Sequence, residues 1–343
     1  MKFDFVIGNP PYQESSEGTV NDQPIYHLFM DAAFNISDKV ELITPARFLF
    51  NAGATPKSWN NKILNDEHFK VIHYAPNSIE IFPNVDIQGG VAITYRDKAR
   101  NFGKIGVFCA FPELNSIKEK VFTTNTESFS DIISNRGQYR FANKVYREYP
   151  EEMEKTSDPR ISTSAFERMQ KLFTENKPDD NQEYVQIYGK LAGKRVYRWF
   201  RKDYIKPITN INKYKVMIPK ANGSGAIGEV ASTPLIGEPV IGKPLIGFTE
   251  TYISVGETDS IDEAKAILKY VKSKFARCML GILKVTQDNT KKVWKYVPMQ
   301  DFTSDSDIDW SASVADIDHQ LYRKYGLSQA EIDFIESHVK EMV

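Results

Sequence analysis

The ten residues Phe3-Asp4-Phe5-Val6-Ile7-Gly8-Asn9-Pro10-Pro11-Tyr12 set the reading of the whole chain. A short, mostly apolar run ends in glycine, and two consecutive prolines then stop any strand from continuing. The run predicts a buried β-strand over residues 3–7 that ends at a rigid turn. Downstream, residues 9–22 are polar and turn-rich, after which Ile25, Leu28, Phe29, Ala32, Ala33 and Ile36 recur at helical spacing. Residues 40–44 predict a second strand closed by Pro45, and residues 46–51 the opening of another helix. Residues 71–74 and 90–95 predict two further strands. Strands alternating with helices predict an α/β layer with a largely parallel sheet.

Past residue 100 this rhythm fades. Residues 103–109 are one more strand candidate, and a Ser/Thr/Asn-rich connection then runs to Asn135. The division into two domains is placed there, giving residues 1–135 and 136–343. The second part predicts short strands over 184–188, 215–219 and 252–255, and one amphipathic helix over 262–283 with Thr258 or Ser260 as its cap. Pro234-Leu235-Ile236-Gly237 returns as Pro239-Val240-Ile241-Gly242 and Pro244-Leu245-Ile246-Gly247, a five-residue repeat that predicts an extended segment. A charged amphipathic helix from Ala330 closes the chain.

The chain has 343 residues, enough for two domains with cores of their own. Its balance of 41% hydrophobic and 26% charged residues excludes disordered and collagen-like classes. No run approaches the roughly 18 apolar residues of a membrane span. Cys109 and Cys278 lie far apart, and neither they nor the five histidines have metal-ligand spacing. Two reduced thiols in a cytoplasmic protein are the expectation. The net charge of −1 hides an asymmetry. Between Tyr188 and Lys220 the cations include Lys194, Arg195, Arg198, Arg201 and Lys202, against the single acid Asp203. Asp305, Asp307, Asp309, Asp316 and Asp318 reverse the balance later. Such a division predicts a basic face for a polyanion.

The tetrapeptide Asn9-Pro10-Pro11-Tyr12 carries the most specific chemistry. The exocyclic amine of a nucleobase is a poor nucleophile, because its lone pair is conjugated into the ring. Two acceptors set against its two hydrogens draw it towards a pyramidal, more nucleophilic geometry. The Asn9 side-chain oxygen and the Pro10 carbonyl are the candidates, held rigid because the prolines fix φ and remove two donors. Tyr12 offers a flat face for a base taken out of its duplex. The competing reading is a Pro-rich turn, since Asn-Pro and Pro-Pro are common loop dipeptides. Position at the carboxyl end of a strand, where α/β sites form, favours the functional one.

From residue 1 to about 100 the chain resembles the adenine-specific DNA methyltransferases of stand-alone and type IIG restriction–modification systems. The matching segments follow in family order after the tetrad: Tyr26-His27-Leu28-Phe29-Met30-Asp31-Ala32-Ala33, then Leu42-Ile43-Thr44-Pro45-Ala46-Arg47-Phe48-Leu49. Val71-Ile72-His73-Tyr74, Glu80-Ile81-Phe82-Pro83-Asn84-Val85-Asp86-Ile87 and Gly89-Gly90-Val91-Ala92-Ile93 complete the series. The resemblance implies part of a Rossmann-like methyltransferase sheet, followed by an α+β target-recognition domain that binds double-stranded DNA. It implies that Asn9, Pro10, Pro11 and Tyr12 are catalytic, that Tyr12 and Phe82 stack on the flipped base, and that Phe29 lines the S-adenosyl-L-methionine site. For Phe29 and Phe82 an ordinary core role competes on equal terms.

One departure weighs against these agreements. In that family the S-adenosylmethionine-binding strand and its Gly-rich turn lie well upstream of the tetrad, whereas Met1 stands just ahead of Asn9. The string Gly223-Ser224-Gly225-Ala226-Ile227-Gly228 has the spacing of a phosphate-cradling turn, but Pro234 follows too soon for a helix, so a loop of the recognition domain is expected. The expectation is therefore a cofactor site incomplete in this chain, with either a second polypeptide that carries the missing half or a truncated gene as the explanation.

The stretch Lys194-Arg195-Val196-Tyr197-Arg198-Trp199-Phe200-Arg201-Lys202 interleaves cations with aromatics and is expected to touch DNA, against the alternative of a solvated strand face. No metal-dependent nuclease pattern stands out. The leading reading is site-specific adenine methylation within a restriction–modification system. Its rivals are a non-catalytic DNA-binding remnant or specificity subunit, cytosine amino methylation, and RNA or protein-glutamine methylation.

Overall fold

The computed structural model describes residues 2–14, 22–222, 226–228 and 230–342. The first part is a four-stranded sheet. Strand β1 (Val6–Gly8) leads through a short paired segment to helix α1 (Tyr26–Ile36), and β2 (Lys39–Pro45) follows. A helical turn over Arg47–Phe50, helix α2 (Lys57–Leu64), β3 (Phe69–Ala75) and β4 (Val91–Asp97) complete it. The strand order is β1-β2-β4-β3. Only β1 and β2 pair in parallel; β4 lies antiparallel between β2 and β3. The expectation of a largely parallel sheet is thus corrected to a mixed one. The reason is the connection from β3 to β4: a loop pinned at Gly90 turns the chain straight back, with no crossover helix.

β1 also differs from expectation. Its apolar run predicts a buried strand, yet Ile7 is 72% exposed, with Phe5 and Phe3 at 44% and 48%. Among the described residues β1 is an edge strand that pairs on one side only, so although Val6 packs on the core and the Phe5 ring lies 6.3 Å from Tyr95, much of its apolar surface is left uncovered. The core of this part lies further in, around Met30, Leu42, Phe48, Ile63 and Phe69. Residues 103–109, expected as a strand, have no regular structure.

Helix α3 (Pro112–Thr124) falls in the first part by the sequence division, yet Leu114, Ile117 and Val121 pack among the C-terminal helices. The remaining residues form two further cores. One surrounds the hairpin β5 (Tyr184–Leu191) and β6 (Lys194–Arg201), whose turn at Ala192 and Gly193 has positive φ at both residues, as a two-residue hairpin loop requires. The other is built on β7 (Tyr214–Pro219), which β8 (Val240–Gly242) and β10 (Tyr252–Thr258) flank antiparallel. Between them β9 (Ile246–Phe248) joins β5 in parallel. The Pro-x-x-Gly repeat becomes β8, β9 and two left-handed residues, Leu235 and Leu245, each directly after a proline.

The helix expected over 262–283 is two helices, α4 (Ile261–Lys272) and α5 (Lys274–Leu280). The break falls at Ser273, whose hydroxyl accepts from the Ala276 amide, while the Asp318 carboxylate accepts from the amides of Lys274 and Phe275. Capping of a new helix replaces the continuing turn. Ser260 caps α4 at Glu263, and Thr258 supports it by accepting from the Ser260 amide. Helices α6 (Val314–Lys324) and α7 (Gln329–His338) close the chain, the latter on a Ser328–Glu331 capping box. No helix of the described residues is long and apolar enough to cross a membrane.

Residues 223–225 and 229, which include most of the glycine string, lie outside the described residues. Its described remainder is a seam between cores: Ala226 packs with the first sheet, and Ile227 with the C-terminal helices. A Cβ at Gly228 would come within 2.5 Å of the Phe111 ring.

Candidate functional site

Asn9, Pro10, Pro11 and Tyr12 leave the carboxyl end of β1 and form one wall of a cleft of about 790 Å³. Their rigidity comes from the prolines on one side and a backbone clasp on the other. The Ile25 amide donates to the Tyr12 carbonyl at 3.1 Å, and Gln13 and Glu14 pair with Pro24 and Gln23. The Gln13 amide adds a bond to Asp22 at 2.8 Å. Among the described residues no hydrogen bond reaches the Pro10 carbonyl, so this acceptor is available to a ligand. Among the described residues the buried Tyr12 hydroxyl finds no well-formed hydrogen bond. Burial raises its phenol above the ordinary value, and the neighbouring Asn9 amide offsets part of that rise.

The opposite wall is the loop between β3 and β4. Val85, Asp86, Ile87 and Gln88 line the cleft, whereas Phe82, the expected second stacking group, does not. Two residues shape this loop. The buried Ser78 hydroxyl donates to the Val85 carbonyl and accepts from the Ile87 amide, both at 2.7 Å. Arg47 donates from Nε to the Gln88 carbonyl at 2.8 Å and from Nη2 to the Gln88 side chain. Neither Ser78 nor Arg47 stands out in sequence as a site residue, because what marks them is a partner several elements away. Tyr26 forms part of the floor; burial pushes its phenol up to about 12, against the lowering influence of Thr55 and Arg47.

Phe29 stands apart from this cleft. It is 44% exposed on α1 beside the 57% exposed Leu28, and does not line the tetrad cleft. A nucleoside-bearing methyl donor needs a close backbone approach and polar partners for a ribose and an amino acid. A Cβ at Gly8 would meet only Leu42, at 3.8 Å, so there is no tight cradle at the end of β1. The described residues around Phe29 therefore do not by themselves fit S-adenosylmethionine.

The expected DNA-contacting residues fall into two groups. Arg201 is committed to Asp203 in a bidentate pair and to Glu148, and Lys202 to Glu183. Among the described residues Lys194, Arg195 and Arg198 stand on the outer strand of the hairpin without ion pairs, and Arg195 and Arg198 reach only backbone carbonyls.

A second cleft, of about 1170 Å³, opens between the first sheet and the C-terminal part and shares Arg47, Gly53 and Gln88 with the first. Its far wall is the helical turn Lys291–Trp294. Trp294 is fully buried and donates to Asn289 at 2.6 Å, which fixes the turn to the core.

Residues 1–82 match the family described as Eco57I restriction-modification methylase. Over 180 residues, half of this chain, the sequence is 25% identical to an uncharacterized adenine-specific methylase of Mycoplasma pneumoniae (strain ATCC 29342 / M129 / Subtype 1), of which that stretch covers 41%. The chain spans about two fifths of the length of this curated relative. The family match, residues 1–82, covers β1 to β3 and includes the Asn-Pro-Pro-Tyr turn.

Proposed function

We propose that this chain supplies the catalytic turn and the recognition part of a restriction–modification enzyme that methylates the exocyclic amine of adenine in duplex DNA. The observation that carries this reading is the Asn9–Tyr12 turn on the wall of a cleft, with the Pro10 carbonyl unengaged by any described residue and the Tyr12 ring half-buried beside it. An adenine amine in the cleft donates one hydrogen to the Asn9 oxygen and the other to the Pro10 carbonyl. Tyr12 stacks on one face of the extruded base, and the Val85–Ile87 wall closes the other. S-adenosylmethionine, held at a site completed from outside the described residues, would supply the methyl group; the chain's own residues bind and orient the amine and keep water from it. Phe82 in the stacking role fits this geometry less well than Val85 and Ile87.

The donor site requires more than the described residues provide, and the open edge of β1 supports a source. The apolar side chains of Phe5 and Ile7 stand beside an unpaired backbone edge, with Leu28 and Phe29 exposed on the adjacent helix. An α/β polypeptide adding a strand to β1 would cover them and turn a one-sided site into a crevice at the carboxyl ends of two strands. The same observation supports the second reading, a DNA-binding subunit that is inert without this partner. The DNA-facing role of residues 136–343, with Lys194, Arg195 and Arg198 as outer contacts, belongs to the proposal as well.

The test is to incubate the purified chain with labelled S-adenosylmethionine and genomic duplex DNA, with and without the polypeptide encoded beside it, and to identify the labelled nucleoside. Label in N6-methyladenine supports the reading. Label confined to cytosine, RNA or protein, or no transfer under either condition, counts against it.

A further inference from the structure

The lining of the larger cleft holds Arg47, Lys57, Lys291, Lys292 and Lys295 against one acid, Asp288. Many cations elsewhere are answered by carboxylates, as in Arg201–Asp203, Lys120–Glu331 and Lys274–Glu336, whereas Lys194, Arg195 and Arg198 on the outer strand of the hairpin also lack an ion pair among the described residues. Among the described residues none of Lys57, Lys291, Lys292 and Lys295 makes an ion pair. Lys57 donates to the Asn51 carbonyl, and the Lys295 ammonium lies 5.6 Å from the Tyr296 ring centre. The four lysines come from two different parts of the fold, Lys57 from the start of α2 and the others from the turn that Trp294 anchors.

Like charges brought together across a groove raise the free energy of the empty protein, and a polyanion that enters the groove relieves that repulsion. Burial and the charge of Lys292 hold the Lys57 ammonium below its ordinary value, which agrees with the two lysines facing each other across the cleft. The groove meets the tetrad cleft at Arg47, Gly53 and Gln88. A duplex that presents a base to Asn9 must pass its phosphates close to that junction.

We infer that Lys57, Lys291, Lys292 and Lys295 form a clamp for the DNA phosphate backbone beside the target base, and that this cleft, rather than the β6 hairpin, provides the main electrostatic contact with DNA. The inference rests on the function proposed above. Arg47 is a positioning residue at the junction, since its guanidinium is already engaged by Gln88.

The test is fluorescence anisotropy with the full chain and a short labelled duplex of mixed sequence, titrated at several salt concentrations. Removing one lysine–phosphate interaction should lower the slope of log affinity against log salt by about 0.9. The variant K57Q/K291Q/K292Q/K295Q should therefore lose about three to four from that slope. The corresponding four-arginine variant should keep it, and both should melt with the wild type. An unchanged slope in the glutamine variant, with wild-type binding intact, overturns the clamp and leaves the methylation reading standing. Absence of duplex binding by the wild type overturns both.

Discussion

Strands β1 and β6 are both edge strands, and they treat their edges in opposite ways. β6 presents Lys194, Arg195 and Arg198 to solvent, and Thr174 meets it at Trp199. Charge along an edge is a common protection against unwanted strand pairing. β1 presents the 72% exposed Ile7, with Phe5 exposed just before the strand and no charge between them. The contrast teaches that basic composition and function need not coincide. The hairpin cations that dominate the sequence are in part edge protection and in part ion-paired, whereas the unpaired cations of the cleft are fewer and come from separated segments. The apolar edge, in turn, is adjacent to the turn proposed to do the chemistry.

Changing the exposed edge should have the larger effect. Ile7→Lys gives β1 the character of β6, and capture of the cofactor-bearing polypeptide should weaken by about 10- to 100-fold, the worth of one buried aliphatic side chain. Titration calorimetry or a pull-down with the neighbouring gene product reads this; equal capture would remove β1 from the interface. Replacing Lys194, Arg195 and Arg198 together by Gln should alter DNA affinity much less than the cleft variant does, while soluble yield falls because the β6 edge loses its protection. A loss of salt slope matching that of the cleft lysines would instead make the hairpin an equal DNA contact.

The smallest effect concerns the closed part of the molecule. Burial alone would raise the Glu331 carboxyl, but bonds from Lys120, Ser116 and Ser328 hold it at about 2. A carboxyl depressed below its unfolded value stabilises the fold above about 4.5, and this contribution is lost progressively as pH falls towards 2. Glu331→Gln should thus lower the denaturation midpoint at neutral pH and converge with the wild type in acid. A deficit independent of pH would mean that the Lys120–Glu331 pair is not its source.

Much of the first sheet was legible in sequence, because helical spacing in α1 and apolar runs at β2, β3 and β4 are local signals. The Asn-Pro-Pro-Tyr turn was legible for the same reason. The exposure of β1 was not, since an apolar run does not say whether a neighbour exists to bury it. The break at Ser273 depends on Asp318, far along the chain, so periodicity alone joins α4 to α5. The cleft wall at Val85–Gln88 depends on Ser78 and Arg47, and its shape exists only once they are bonded. Lys57 is isolated in sequence and gains meaning only opposite Lys292.

The central claim is that Asn9 holds the amine that receives the methyl group. Its most direct test compares wild-type chain and Asn9→Ala, each with the polypeptide that completes the donor site, for transfer of label from S-adenosylmethionine to adenine in genomic DNA. Loss of an acceptor that acts in the transition state should reduce transfer by about 100-fold or more, with DNA affinity within about twofold because the phosphates carry the binding. Transfer by Asn9→Ala at the wild-type rate, or a loss explained entirely by weaker DNA binding, would contradict the account.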